Sequence, residues 1–106
     1  ADPNVRGEDG DTPLHLAAKF SDTPAVVKAL LDAGAAPNAR DEDGFTPLHR
    51  AAVFSDTPAV VQVLLDAGAD PGARDKGGKT PWDRIKDDSP LKGTDVYWRL
   101  HEARFQ

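Results

Sequence analysis

The sequence predicts an all-α repeat solenoid, in which helix-turn-helix units stack side by side and hairpin-like loops join them. Three observations carry this expectation. Residues 9–42 and 43–76 match without a gap at 26 of 34 positions. The eight letters FSDTPAVV stand at Phe20–Val27 and again at Phe54–Val61. Within each copy, apolar residues return at helical spacing behind a Thr-Pro pair. A fixed period of this length marks small units that cannot bury an apolar face alone and complete one another by stacking.

The elements follow in order. The opening ADPNVR aligns with Ala69–Arg74 (ADPGAR), so residues 1–8 are expected to be the end of a preceding repeat whose helices are missing. Residues 9–42 and 43–76 are the two full units, and 77–106 a C-terminal capping repeat that begins GGKTPWDRIK and then drifts. In the second unit, Thr46 and Pro47 suit a helix start. The hydroxyl can accept from a free backbone N–H, and proline at the first helical position loses no needed donor. Leu48, Ala51 and Ala52 then share one face.

A second helix is expected to begin with the same device at Thr57 and Pro58. Val60, Val61, Leu64 and Leu65 form its apolar stripe, and Gly68 stops it. Pro71 and the DKGG at Asp75–Gly78 then mark extended and turning chain. The first unit repeats the plan with Pro13, Pro24, Gly34 and Pro37.

The succession TPLH, AA, VV, LL, DAGA and N-A-R-D resembles the ankyrin repeat over about residues 1–86. The family's usual period is 33, whereas this chain uses 34. The family places a Gly-His pair between its two helices, with the glycine left-handed. Here Ser21-Asp22-Thr23-Pro24 stands instead. The expectation is that one more residue lets ordinary backbone make the reversal, with no positive φ at Ser21 or Asp22 and with Thr23 capping the next helix. The style of the repeats is similar to bacterial ankyrin proteins or to a consensus-built array.

The two ends read differently. Trp82 stands in the place of Leu14 and Leu48, Asp83 replaces the histidine, and Ile85 and Lys86 replace the paired alanines. Ser89-Pro90 and Gly93 break the chain before a last helix from about Asp95 to Arg104, with Val96, Leu100 and Ala103 in line. Trp82, Tyr97 and Trp98 are expected to close the core. At the other end, Ala17, Ala18, Val26, Val27 and Leu30 keep the identities of their buried counterparts. That face is expected to be covered by upstream repeats or by another copy of the protein, since a bare apolar patch is a liability.

Composition narrows function. The net charge is -5 with no basic block, which argues against nucleic acid. No stretch approaches the roughly 20 apolar residues that span a membrane. Cysteine is absent, which excludes disulfides and thiolate zinc sites and leaves the compartment unknown. Methionine is absent too, so the chain is expected to be a processed product or an excised fragment.

Candidates for chemistry are few. His15 and His49 recur in register, but stacked units lie roughly 10 Å apart, too far for shared metal ligation. The resemblance implies that each hydrogen-bonds within its TPLH turn. His101 is expected on the last helix, and the sequence alone names no role for it. Asp41 with Asp43, and Asp87 with Asp88, read as solvated turn residues, since calcium-loop spacing is missing. Asp32 and Asp66 are expected to pair with Arg40 and Arg74 or with other units. No phosphate loop, nucleophile elbow or zinc signature is present. No catalysis, cofactor or metal is expected.

The resemblance implies a protein-protein interaction module whose partner lies along hairpin tips and the exposed face of the first helices. The copies differ mainly there: Asp11 becomes Phe45 and then Lys79, Leu16 becomes Arg50, Lys19 becomes Val53, and Glu42 becomes Lys76. These nine residues are the expected partner-binding set. Phe45, beside Arg50 and Val53, is the expected anchor. Two alternatives stand beside it: an accessory domain of a larger enzyme, and a structural stack that self-assembles through its N-terminal face.

Overall fold

A computed structural model of the chain describes residues 3–20 and 23–103. Its helices are α1 (Pro13–Phe20), α2 (Pro24–Asp32), α3 (Pro47–Phe54), α4 (Pro58–Asp66) and α5 (Asp95–Ala103), with a 3-10 turn at Trp82–Arg84 before α5. They form two rows. In the first, α1 packs on α3 and α3 on the 3-10 turn; in the second, α2 packs on α4 and α4 on α5. Each unit joins the rows, α1 to α2 and α3 to α4. No strand occurs among the described residues, so the hairpin-like loops turn without forming a ladder.

Local chemistry explains the helix ends. Proline opens each of α1 to α4. Thr46 caps α3: its hydroxyl accepts from the His49 N–H at 3.3 Å, and the His49 ring nitrogen Nδ1 accepts from the Thr46 N–H at 3.2 Å. Thr12 and His15 repeat this box at α1. The second helices depart from expectation. Thr23 and Thr57 occupy the cap positions of α2 and α4, but neither side chain makes a capping bond.

Ser55 holds the second-unit corner instead. It is 3% exposed, and its hydroxyl accepts from the Thr57 N–H at 3.1 Å, a serine turn that orders the corner without capping α4. Its backbone is extended, with φ -84°. No residue other than glycine has a positive φ among the described residues, so the longer corner reverses on ordinary backbone in this unit. Ser21 and Asp22, on which the same expectation was placed, lie outside the described residues. At the far end of α4, the Gly68 N–H reaches the Leu65 carbonyl at 3.1 Å and the Ala69 N–H the Leu64 carbonyl at 3.0 Å. This overlapping pair ends the helix, with Gly68 at φ +96°.

The core runs the length of the stack. Leu14, Leu48, Ala51, Val27, Val60, Val61 and Leu64 are fully or nearly fully buried, as are Leu91 and Leu100 in the segment after the second full unit. Burying each large aliphatic side chain contributes about 1.5–3 kcal/mol. Leu91 lies in the loop after Ser89-Pro90, where no helical period marked it. Val96, Leu100 and Ala103 line the buried side of α5 as expected.

The end faces need two corrections. Ala17, Ala18 and Val27 are buried by the chain's own helices and do not belong to the open N-terminal face. Val26 is 46% exposed where Val60 is 0%, and Leu30 is half-buried where Leu64 is fully buried. At the C-terminal end, Trp82 stacks at an angle on Tyr97 (5.8 Å) and edge-on to His101 (4.9 Å). Trp98 is 53% exposed and packs around the same rings without closing the core.

Candidate partner-binding face

The hairpins are bolted together by side chains 34 residues apart. Arg6 donates to its own Gly10 carbonyl (2.8 Å) and to the Arg40 carbonyl (2.6 Å). Arg40 repeats this with Gly44 (3.1 Å) and Arg74 (2.6 Å). Asn4 bridges to Gly34 and Ala36, and Asn38 to Gly68 and Asp70. These carbonyl contacts, and not Asp32 or Asp66, occupy the arginines. Asp66 instead accepts from Gln62 at 2.8 Å and faces Arg99 of α5 at 3.7 Å.

The two histidines join the same system. Besides its own threonine, His15 bonds the Phe45 carbonyl at 2.7 Å, and His49 the Lys79 carbonyl at 2.9 Å. Since Nδ1 accepts from a backbone N–H, Nε2 carries the proton and donates. A second proton would set Nδ1–H against that N–H. Burial holds both rings below the ordinary 6.5.

This sets a sign for pH. Below about pH 6.5 the unfolded chain takes up protons before the folded chain does, so stability present above that pH is lost as pH falls. Asp41 and Asp75, held below 3.8, extend the loss at lower pH, while Asp11, pushed above 3.8, offsets part of it. The urea midpoint is expected to be level above about pH 7 and to decline from about 6.5 downward. A midpoint unchanged from pH 7 to 5 would contradict this.

Asp41 is not a solvated turn residue. It is 7% exposed, and its Oδ1 accepts from the N–H groups of Asp43 (2.9 Å) and Phe45 (3.0 Å). Its Oδ2 accepts from Arg50 Nε at 3.1 Å and Nη2 at 2.5 Å. Burial alone would raise its carboxyl, but the Arg50 and Phe45 hydrogen bonds outweigh it and hold the group below the ordinary range. Asp75 and Arg84 repeat the pair at 2.7 Å. Neither Asp75 nor Arg84 was among the expected functional residues; the nine-residue spacing shared with Asp41 and Arg50 was the available signal.

The expected binding residues fall into two groups. Leu16 is 45% exposed, and Glu42, Lys76 and Lys79 are exposed. Phe45, Arg50 and Lys19 have packing duties that the sequence reading denied them. Phe45 stacks on His49 (5.4 Å) and lies between the guanidinium groups of Arg50 (4.7 Å) and Arg84 (5.0 Å). Lys19 reaches over the rings of Phe20 (5.0 Å) and Phe54 (4.7 Å). Asp11 and Val53 are half-buried.

Asp11, His15 and Asp41 bring donor atoms within 4.8 Å of one another, a grouping the sequence reading missed. Both nitrogens of His15 and both oxygens of Asp41 are engaged, and the Arg50 guanidinium already supplies the positive charge.

A family model of ankyrin repeats in three copies matches residues 1–75. The chain belongs to the ankyrin-repeat family. No curated protein matches it. Ankyrin repeats are generally protein-protein interaction modules, and such domains are typically non-catalytic. The histidine boxes and the hairpin bolts are therefore read as ankyrin scaffolding, which leaves the variable positions above it as the candidate face.

Proposed function

We propose that this ankyrin-repeat chain binds a protein partner across its hairpin tips and the outer side of its first helices. One observation carries the reading. The units share their corner and apolar letters, yet differ in charge and size at Asp11/Phe45/Lys79, Leu16/Arg50 and Glu42/Lys76. The exposed members, Leu16, Glu42, Lys76 and Lys79, are free to touch a partner without loss of core packing. Phe45 and Arg50 support them from beneath.

The test separates face from scaffold. A partner captured with this chain is titrated against the double variant Lys76→Glu/Lys79→Glu and against Lys28→Glu on α2. The double variant is expected to bind about tenfold more weakly, with steeper loss at low salt. Lys28→Glu is expected to bind as the parent does. Equal affinities for all three would refute the reading.

A second reading has its own support: Val26 is 46% exposed where its counterpart is fully covered. Self-association through this N-terminal face predicts a sedimentation coefficient that rises with concentration. A monomer at all concentrations removes it.

A further inference from the structure

The three units fill one position differently. The 34-residue register places Gly7 with Asp41 and Asp75, and Leu16 with Arg50 and Arg84. In the second unit and the cap, acid and arginine are bonded, Arg50 Nε to Asp41 at 3.1 Å and Arg84 Nε to Asp75 at 2.7 Å. The first unit has neither member of the pair. A groove of about 460 Å³ lies there, with Val5, Gly7, Glu8, Asp11, Pro13 and Leu16 in its wall. Val5 is 58% exposed and Leu16 45%.

Asp11 shows what the groove lacks. Its register counterpart, Phe45, has a guanidinium on each side, one from its own unit and one from the next. Asp11 has the next unit's Arg50 at 3.7 Å, but Leu16 stands where its own unit's arginine would be. Its Oδ1 is buried and accepts no hydrogen bond. That oxygen is sealed from solvent on the Arg50 side, so a ligand in the groove meets Asp11 through the rest of its carboxylate, and a carboxylate short of donors is relieved most by a charge-assisted bond.

We infer that this groove receives an arginine side chain from a basic peptide segment of the partner, its guanidinium against Asp11 and an adjacent apolar residue on Val5 and Leu16. The inference rests on the binding face proposed above and gives its partner a chemistry. Arginine suits the place better than lysine because a planar guanidinium already occupies the equivalent position in the next two units. Glu8 and Asp9 add negative charge to the rim; Arg6, the one cation in the wall among the described residues, spends Nη1 on the Gly10 and Arg40 carbonyls and leaves the acids in excess. Burial, and then hydrogen bonding and charge repulsion from Asp41, push the Asp11 carboxyl up against the pull of Arg50.

The experiment is an NMR titration of the full chain with a blocked pentapeptide carrying one arginine between two leucines. Its control is the same peptide with citrulline, which keeps the shape and loses the charge. The arginine peptide is expected to shift the amides of Gly7, Asp11 and Leu16 and to bind at least about tenfold more tightly than the control. Asp11→Asn is expected to weaken it by about the same factor. Leu16→Arg fills the groove with the chain's own guanidinium and is expected to abolish binding. Should that variant fold poorly, Gly7→Asp/Leu16→Arg restores the full pair, since a Cβ at Gly7 meets only the Asp11 carbonyl at 3.8 Å.

Equal binding of the citrulline peptide, or undiminished binding to the filled groove, overturns the inference. So do groove resonances that move with protein concentration alone, which would put a second copy there. Shifts confined to Phe45, Lys76 and Lys79 overturn the groove while sparing the face; shifts confined to α2 and α4 overturn both.

Discussion

Asp41→Ala is expected to lower the unfolding free energy by about 3–5 kcal/mol. The carboxylate satisfies two backbone N–H groups and both contacting nitrogens of Arg50. Its removal leaves the guanidinium, only 13% exposed, without its closest counter-charge, and leaves the N–H groups of Asp43 and Phe45 without their acceptor. Against a total of about 5–15 kcal/mol for a domain, that is a large share. Arg50→Ala is expected to cost less, because Asp41 keeps its two N–H donors. Urea unfolding of both variants measures the order. A loss under about 1 kcal/mol for Asp41→Ala would show that the pair is dispensable.

Gly44→Ala is the second large effect, and the chain supplies its own control. Gly44 and Gly78 have the same φ, +76°. A Cβ at Gly78 meets nothing within 4 Å, so Gly78→Ala carries only the strain of left-handed backbone, about 1–2 kcal/mol. A Cβ at Gly44 lies 2.9 Å from the Lys76 backbone nitrogen and 3.3 Å from the Asp75 carbonyl carbon. These are main-chain atoms of the next hairpin, which cannot swing aside as a side chain does. The same Lys76 N–H bonds the Asp43 carbonyl at 3.1 Å, so relief of the clash breaks a bond between units. Gly44→Ala is therefore expected to cost about 3 kcal/mol or more. Equal thermal midpoints for the two variants would contradict this account.

Much of the scaffold was legible because its signals are local. Pro47 opening α3, the Leu48/Ala51/Ala52 face and Gly68 ending α4 each depend on residues within a turn or two. Thr57 misled because Thr-Pro looks alike at both helix starts. Only the first has a histidine three residues on to lock the hydroxyl; at the second, Ser55 holds the Thr57 N–H and α4 has no side-chain cap. The Asp41–Arg50 pair was hidden for another reason. Its burial depends on the neighbouring hairpin and on Phe45, so no window of sequence contains the cause. Arg50 and Phe45 vary between copies, which marked them as surface, yet Arg50 varies together with its acid: where Leu16 replaces it, Gly7 replaces Asp41. The groove at Leu16 was missed likewise: its meaning lies in the absence of a pair present in the other two units.

The arginine and asparagine bridges between hairpins end on main-chain atoms, which every residue offers alike. Such fasteners do not ask what the loop says, only that it arrives at the right height. A copied or excised block of one period would find its bridges remade, while exposed letters such as Glu42, Lys76 and Lys79 could be rewritten without touching Asp41, Gly44 or Phe45. Growth in length and change in specificity are thus separable in this architecture, each open to variation without disturbing the other.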